Sequence, residues 1–300
     1  MTVVDIHSGT AQERVQALMA LIDVDTVDEN IFEGRRKQGG VGRIFGGEVI
    51  AQALAAACKT VAPDRAVHSL HAYFLRGGDE TRSSRYKVDA DFDGRSFSNR
   101  RVVATQNDKV ILNLTASFHR PEDGRSHQAE MPDVPGPDGL AGLPELLRQH
   151  RDGSGKQPRM ASFIGRPWPF DMRPVGPMAM MPSEPREPEA AFWFRAAAPV
   201  EAPQWMHRAM LAFLSDMGLL SSATLPHGRF DMEGASLDHS IWFHADVNVD
   251  QWMLYQLQSP WSGGARGLGL GRVFDRNGRL IASMAQEGLM RDRGLARPER

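Results

Sequence analysis

Among 300 residues few side chains are placed to do chemistry, and Asp216 is the first of them. It closes the run QWMHRAMLAFLSD, in which Trp205, Ala209, Ala212 and Phe213 precede it by eleven, seven, four and three residues. On a helix those positions share one face with the aspartate, and that face is apolar. A carboxylate turned into it loses solvation, which raises its pKa toward the range of a general base. A polar residue bonded to the loop beyond a fraying helix end would leave the same trace, and the residues alone keep both readings open. Gln286 sits in the small, apolar strand ASMAQEG. A buried amide without partners costs about 1–3 kcal/mol, so this one either ties strands together or holds a ligand. Ser236 opens a strand, where a cap or a surface hydroxyl is the commoner role.

Two histidines, His68 and His71, fall in VHSLHAYF. Three residues apart on a strand, they are expected to face opposite ways, so one site does not easily use both. Asp238-His239 looks like an acid–base pair, but adjacent strand residues also point apart and do not form a dyad. Gly46-Gly47 opens the helical run EVIAQALAAACK, and a helix N-terminus closely approached by backbone suits a developing oxyanion. Several familiar machines are missing. The chain has no G-x-S-x-G elbow, no H-E-x-x-H and no G-x-x-x-x-G-K-[ST] loop. GLGLG at 267–271 lies between expected strands, not at a strand-to-helix turn, so it reads as a twisted or bulged strand.

The elements that must position these residues fall into two similar sets. AQERVQALMALIDV places Val15, Leu18, Met19 and Ile22 on one helical face. An alanine-rich helix from about Glu48 to Lys59 follows, and its small side chains let a sheet wrap it closely. Strands are expected from Ala66 to Arg120, with turns at Asp93-Gly94 and Asn107-Asp108. Twelve of the nineteen prolines then fall within 131–190. That stretch, which includes RDGSGKQ, reads as a connection, with SFIGRPWPFDMRPV as a possible edge strand. Beyond it the order repeats: strand, helix, then strands with a turn at Asn277-Gly278. NDKVILNLTASF and NGRLIASMAQEG stand about 170 residues apart, as do HSLHAYF and HSIWFH, which suggests a duplicated unit. The expected division is a first domain over 1–130, the connection over 131–190, a second domain over 191–292 and a disordered tail over 293–300.

Composition narrows the setting. Hydrophobic residues make up 41% and charged residues 24%, and the net charge is −2, so no global field draws the chain to nucleic acid or an anionic membrane. The single cysteine, Cys58, forms no internal disulfide and no thiolate metal cluster. No signal peptide opens the chain, no run of about 18 apolar residues spans a bilayer, and Arg-Pro-Glu-Arg is not a peroxisomal address. A cytoplasmic protein is expected.

Six strings taken in order carry a resemblance: FGGEVIAQAL (45–54), VHSLHAYFLRGGD (67–79), GRSFSNRRV (94–102), LSDMGLL (214–220), ASLDHSIWFH (235–244) and ASMAQEGLMR (282–291). Together they resemble the acyl-CoA thioesterase II family, which comprises bacterial thioesterase II enzymes and animal peroxisomal acyl-CoA thioesterases. The likeness runs from about residue 14 to residue 292. It implies an α+β double hotdog, two helices each wrapped by an antiparallel sheet. It also implies a catalytic aspartate, hydroxyl and glutamine at Asp216, Ser236 and Gln286; many bacterial members carry threonine where this chain has Ser236. The implied reaction is hydrolysis of medium- or long-chain acyl-CoA by water, without metal or organic cofactor, in a homo-oligomer. Gly46, Gly47 and His68 are then candidates on the substrate side, with a hydrogen-bonded core role as the commoner reading of His68. Arg95, Arg266, Arg100 and Arg101 could reach the coenzyme A phosphates, with a solvated or ion-paired role the commoner one for each. The rivals are a hotdog enoyl-CoA hydratase, which would want an aspartate and a histidine in one cleft, and a non-catalytic acyl-CoA-binding protein.

Overall fold

The computed structural model describes residues 3–149, 166–177, 184–228 and 232–294. RDGSGKQ and residues 295–300 of the expected disordered tail lie outside the described residues. The first half runs β1 (Val3–Val4), α1 (Ala11–Ile22), β2 (Val24–Asp28), β3 (Ile31–Gly34), β4 (Arg36–Lys37), α2 (Gly46–Cys58), β5 (Ala66–Phe74), β6 (Arg85–Asp93), β7 (Phe97–Gln106) and β8 (Lys109–His119). After α3 (Leu143–Gln149) come β9 (Phe170–Val175), β10 (Glu189–Ala196), α4 (Gln204–Ser215), α5 (Leu219–Thr224), β11 (Met232–Ser236), β12 (Asp238–Phe243), β13 (Met253–Gly263), β14 (Arg266–Asp275) and β15 (Leu280–Asp292).

Local chemistry sets these boundaries. Thr10 and Glu13 form a reciprocal capping box that starts α1. Asn107 and Asp108 both take positive φ, 49° and 57°, the geometry of a tight turn whose twist matches the paired strands β7 and β8. Gly218, at φ 90°, turns the chain between α4 and α5. The run Gln204–His227 is long and apolar enough to cross a bilayer, contrary to the sequence expectation, but 67% of its apolar window is buried inside the protein. It packs as a core element, broken at Gly218.

Among the described residues the main sheet has thirteen strands, in the order β2-β3-β6-β7-β8-β5-β12-β15-β14-β13-β10-β9, with β11 added against β15. Its two halves mirror each other about the β5–β12 pair, where Leu70 stands opposite Ile241 and Ala72 opposite His239. Pro174 is accommodated because β9 lies at the sheet's edge. One buried hydrophobic cluster runs through both halves. In it α2 packs on β5–β8 and on α4, while α5 lies on β13–β15. The helices meet closely: a Cβ at Gly47 would run into the Phe213 carbonyl oxygen. Gly269, within the GLGLG run, likewise lets the backbone of Leu219 approach β14.

One expectation about direction fails. β5 carries a register shift between Val67 and Ser69, and this bulge turns His68 to the same outer face as His71. His68 Nε2 meets Ser117 Oγ at 2.8 Å and His71 Nδ1 meets Ser240 Oγ at 3.0 Å.

Candidate active site

Asp216 is the C-cap of α4, where the helix stops hydrogen bonding and the chain turns toward Gly218. Its Oδ1 accepts from Gln286 Nε2 at 2.8 Å and, more weakly, from Ser236 Oγ at 3.4 Å. Its Oδ2 accepts from the Gly47 amide at 3.1 Å. Gln286 Nε2 also donates to Ser236 Oγ at 2.6 Å. The structure therefore brings together Asp216, Ser236 and Gln286, from three separate stretches of chain.

The strands explain how. β11 pairs with β15 so that Ser236 stands opposite Gly288, and the Leu237 amide donates to the Glu287 carbonyl at 2.9 Å. Gln286 lies two residues along from Gly288, so its side chain leans diagonally onto that of Ser236. The carboxylate sits between two helix ends. The C-terminus of its own α4 repels negative charge and the N-terminus of α2 attracts it. Gly47 makes the second contact possible, since any side chain there would push α2 off α4.

This geometry corrects the sequence reading of the glycines. The Gly47 amide is committed to Asp216 and is not free for a substrate oxyanion, whereas Gly46 lines a cavity.

Behind the cluster lies a second layer. Gln286 Oε1 faces His239 Nδ1 at 3.2 Å, and His239 Nε2 faces Ser215 Oγ at 2.8 Å. Tyr255 donates its hydroxyl to the Ser215 carbonyl at 2.8 Å. Burial pushes the His239 imidazole down from its ordinary pKa, against the pull of Asp216. Burial, with Asp216 nearby, pushes the Tyr255 phenol well above its usual range and keeps it a donor. Asp238 points the other way, accepting from the Glu287 amide at 2.6 Å.

Two adjoining cavities open on the site. One of about 620 Å³ is lined by Asp216 and Gln286 together with Phe45, Met217, Leu220 and Met232. The other, of about 330 Å³, is lined by Gly46, Phe74, Ile111 and the arginines Arg43 and Arg76. Arg43 and Ser236 line both. Glu80, ion-paired with Lys37 at 2.5 Å, borders the larger one.

His68, Arg95 and Arg266 line neither cavity. His68 is held on the outer face by Ser117, beside Phe97 and His119. Arg95 is exposed in the turn between β6 and β7. Arg266 pairs with Glu287 at 3.3 Å and lies over Trp261. Arg100 is buried against Asp93 and Thr60, and Arg101 pairs with Asp89 and Asp91. The sequence reading passed over Arg43 and Arg76. The available signal was a lone arginine among Gly39, Gly40, Gly42, Gly46 and Gly47, just before α2.

Helices wrapped by an antiparallel sheet, with a polar cluster where the end of one meets the start of another beneath an apolar cavity, are the arrangement of a hotdog fold. Comparison with known proteins gives the family. Residues 35–119 match the acyl-CoA thioesterase N-terminal domain and residues 129–290 the acyl-CoA thioesterase C-terminal domain. Human acyl-coenzyme A thioesterase 8 is 38% identical over 279 residues, covering 90% of this chain and 88% of its own. An acyl-CoA thioesterase II from Mycobacterium marinum superposes with a TM-score of 0.75 at 34% identity, covering 94% of this chain and all of its own. A hot dog fold protein from Alicyclobacillus acidocaldarius, 20% identical over 92% of this chain and 98% of its own, shares the fold with a TM-score of 0.72. The chain belongs to the acyl-CoA thioesterase II family and is a thioester hydrolase.

Proposed function

We propose that this enzyme, a double hotdog in a single chain, hydrolyses medium- or long-chain fatty acyl-CoA to free fatty acid and coenzyme A. The observation that carries the reading is the contact of Asp216, Ser236 and Gln286 at the wall of an apolar cavity. A water held by these three groups meets the thioester carbonyl without the orientational cost of a bimolecular encounter. Asp216 accepts its proton as the new C–O bond forms. The Gly46 amide, at the positive end of α2, is the donor we assign to the oxyanion. The C–S bond then breaks, and the thiolate leaves with the proton returned by Asp216. The apolar lining of the larger cavity suits the acyl chain. Arg43 and Arg76, in place of Arg95 and Arg266, suit the coenzyme A phosphates. We extend the proposal to a cytoplasmic setting, for which the single cysteine is the supporting feature.

A hydratase would need an imidazole facing the cavity beside the carboxylate. His239 is fully buried and turned toward Gln286 and Ser215. The test is thiol release from acyl-CoAs of graded chain length. Asp216→Asn is expected to lose about 10²–10⁴-fold in kcat, the usual worth of a general base. Undiminished turnover in that variant would remove the assignment, and no thiol release at any length would leave a binding protein.

A further inference from the structure

Gln286 has to present its amide one way round. An ionised carboxylate only accepts hydrogen bonds, so the NH2 end must face Asp216 Oδ1 and the carbonyl end must face away. Turned over, the amide would set two acceptors against each other at 2.8 Å. Ser236 alone does not oppose that turn, because its hydroxyl both donates and accepts. What lies on the far side of the amide holds its other end.

That group is His239, which is 0% exposed and stands 3.2 Å from Gln286 Oε1. A neutral imidazole has one donor nitrogen and one acceptor. With Nδ1 protonated, His239 donates to the Gln286 carbonyl and its Nε2 accepts from Ser215 Oγ at 2.8 Å. With Nε2 protonated instead, a bare Nδ1 would face the Gln286 carbonyl, acceptor against acceptor. Ser215 is itself 0% exposed, its carbonyl is held by Tyr255, and its hydroxyl has two acceptors in reach, His239 Nε2 at 2.8 Å and the Ala212 carbonyl at 2.9 Å. The arrangement that sets no acceptor against an acceptor turns the Ser215 hydroxyl from the Ala212 carbonyl to His239, and donation then runs from His239 to Gln286 and from Gln286 to Asp216. The chain's geometry also explains why His239, on the inner face opposite Ala72, is polar in an otherwise apolar layer.

We propose that His239, as its Nδ1–H tautomer, is a positioning residue that holds the carbonyl end of Gln286 and so keeps its amide turned toward Asp216 and the attacking water. It touches neither substrate nor water and acts only through Gln286. The inference rests on the hydrolytic reading given above, and its test separates the two.

Thiol release is measured for the wild type and for His239→Leu, His239→Asn, Gln286→Ala and the double variant Gln286→Ala/His239→Leu, with Asp216→Asn as the reference. Leucine removes the donor. Asparagine keeps an N–H near the position of Nδ1. His239→Leu is expected to lower kcat about 10- to 100-fold with KM unchanged, the range seen when an outer group that orients a reacting one is removed. His239→Asn restores most of that loss. In the Gln286→Ala background His239→Leu costs nothing further, because the two residues act as one unit. Equal losses for leucine and asparagine, or a full loss persisting without Gln286, would overturn the role. Should His239→Leu fail to fold, ring 15N shifts of the wild type decide: protonated Nδ1 with bare Nε2 supports the proposal, and the opposite tautomer sinks it. An inactive Asp216→Asn beside an unimpaired His239→Leu defeats only the positioning role. A fully active Asp216→Asn defeats the hydrolytic reading itself.

Discussion

Histidines whose charged form is partly desolvated, His207 and His239 most deeply buried among them, give this protein a defined response to acid. His7, His68, His207, His239 and His244 all have their pKa depressed below the ordinary 6.5, and burial is the largest cause in each. The unfolded chain therefore takes up these protons before the folded one does. The stabilisation is fully present above pH 6.5 and is lost as pH falls through the folded values. The midpoint of thermal unfolding is predicted to drop between about pH 7.5 and about pH 5.5, and His239→Asn to flatten part of that slope. A midpoint that holds steady or rises over that interval would contradict the assignment. His239 also marks where reading from residues stops. Strand alternation separates it from Asp238, but its true partner arrives from β15, 47 residues later, and nothing local announces that pairing. Asp216 was more legible, since the apolar face of α4 points it inward, whereas its third donor, the Gly47 amide, lies 169 residues upstream.

At the scale of elements, the site depends on how near α2 and α4 come. Phe213 presents its carbonyl oxygen where Gly47 has no side chain, and Asp216 follows three residues later. Gly47→Ala is expected to destabilise the fold by about 1–3 kcal/mol through overpacking and to shift Asp216 away from Gln286. Chemical denaturation and thiol release check this together, and an unchanged midpoint would show that the helices have slack. Element types and turns could be read from periodicity and from Asn107-Asp108. The β5–β12 pairing could not, because it joins stretches about 170 residues apart through backbone groups that any residues supply. The β5 bulge was equally invisible. It inserts one residue and reverses the facing of His68 without any glycine or proline to signal it.

At the scale of the whole molecule, the seam between the halves leaves aromatic surface outside. Tyr73 is 63% exposed and Trp242 39%, and both lie on the outer face of the β5–β12 pair. Burying such a face is the usual reason for a second copy to dock. We predict a solution mass that is a multiple of 33.2 kDa, reduced by Tyr73→Glu and Trp242→Glu; a wild type of 33.2 kDa by light scattering would refute it. The mirrored sheet has another outcome. In the first half, the counterpart of Gln286 is Ala116 and that of Ser236 is Arg65. The helix there ends on Lys59, where α4 ends on Asp216. Lys59 is tied to Asp23, and Arg65 to the carbonyls of Gly94 and Phe97. On the mechanism proposed above, doubling the architecture does not double the chemistry: one repeat carries the reacting carboxylate, and its twin, relieved of that duty, lends a helix tip and half the enclosing wall.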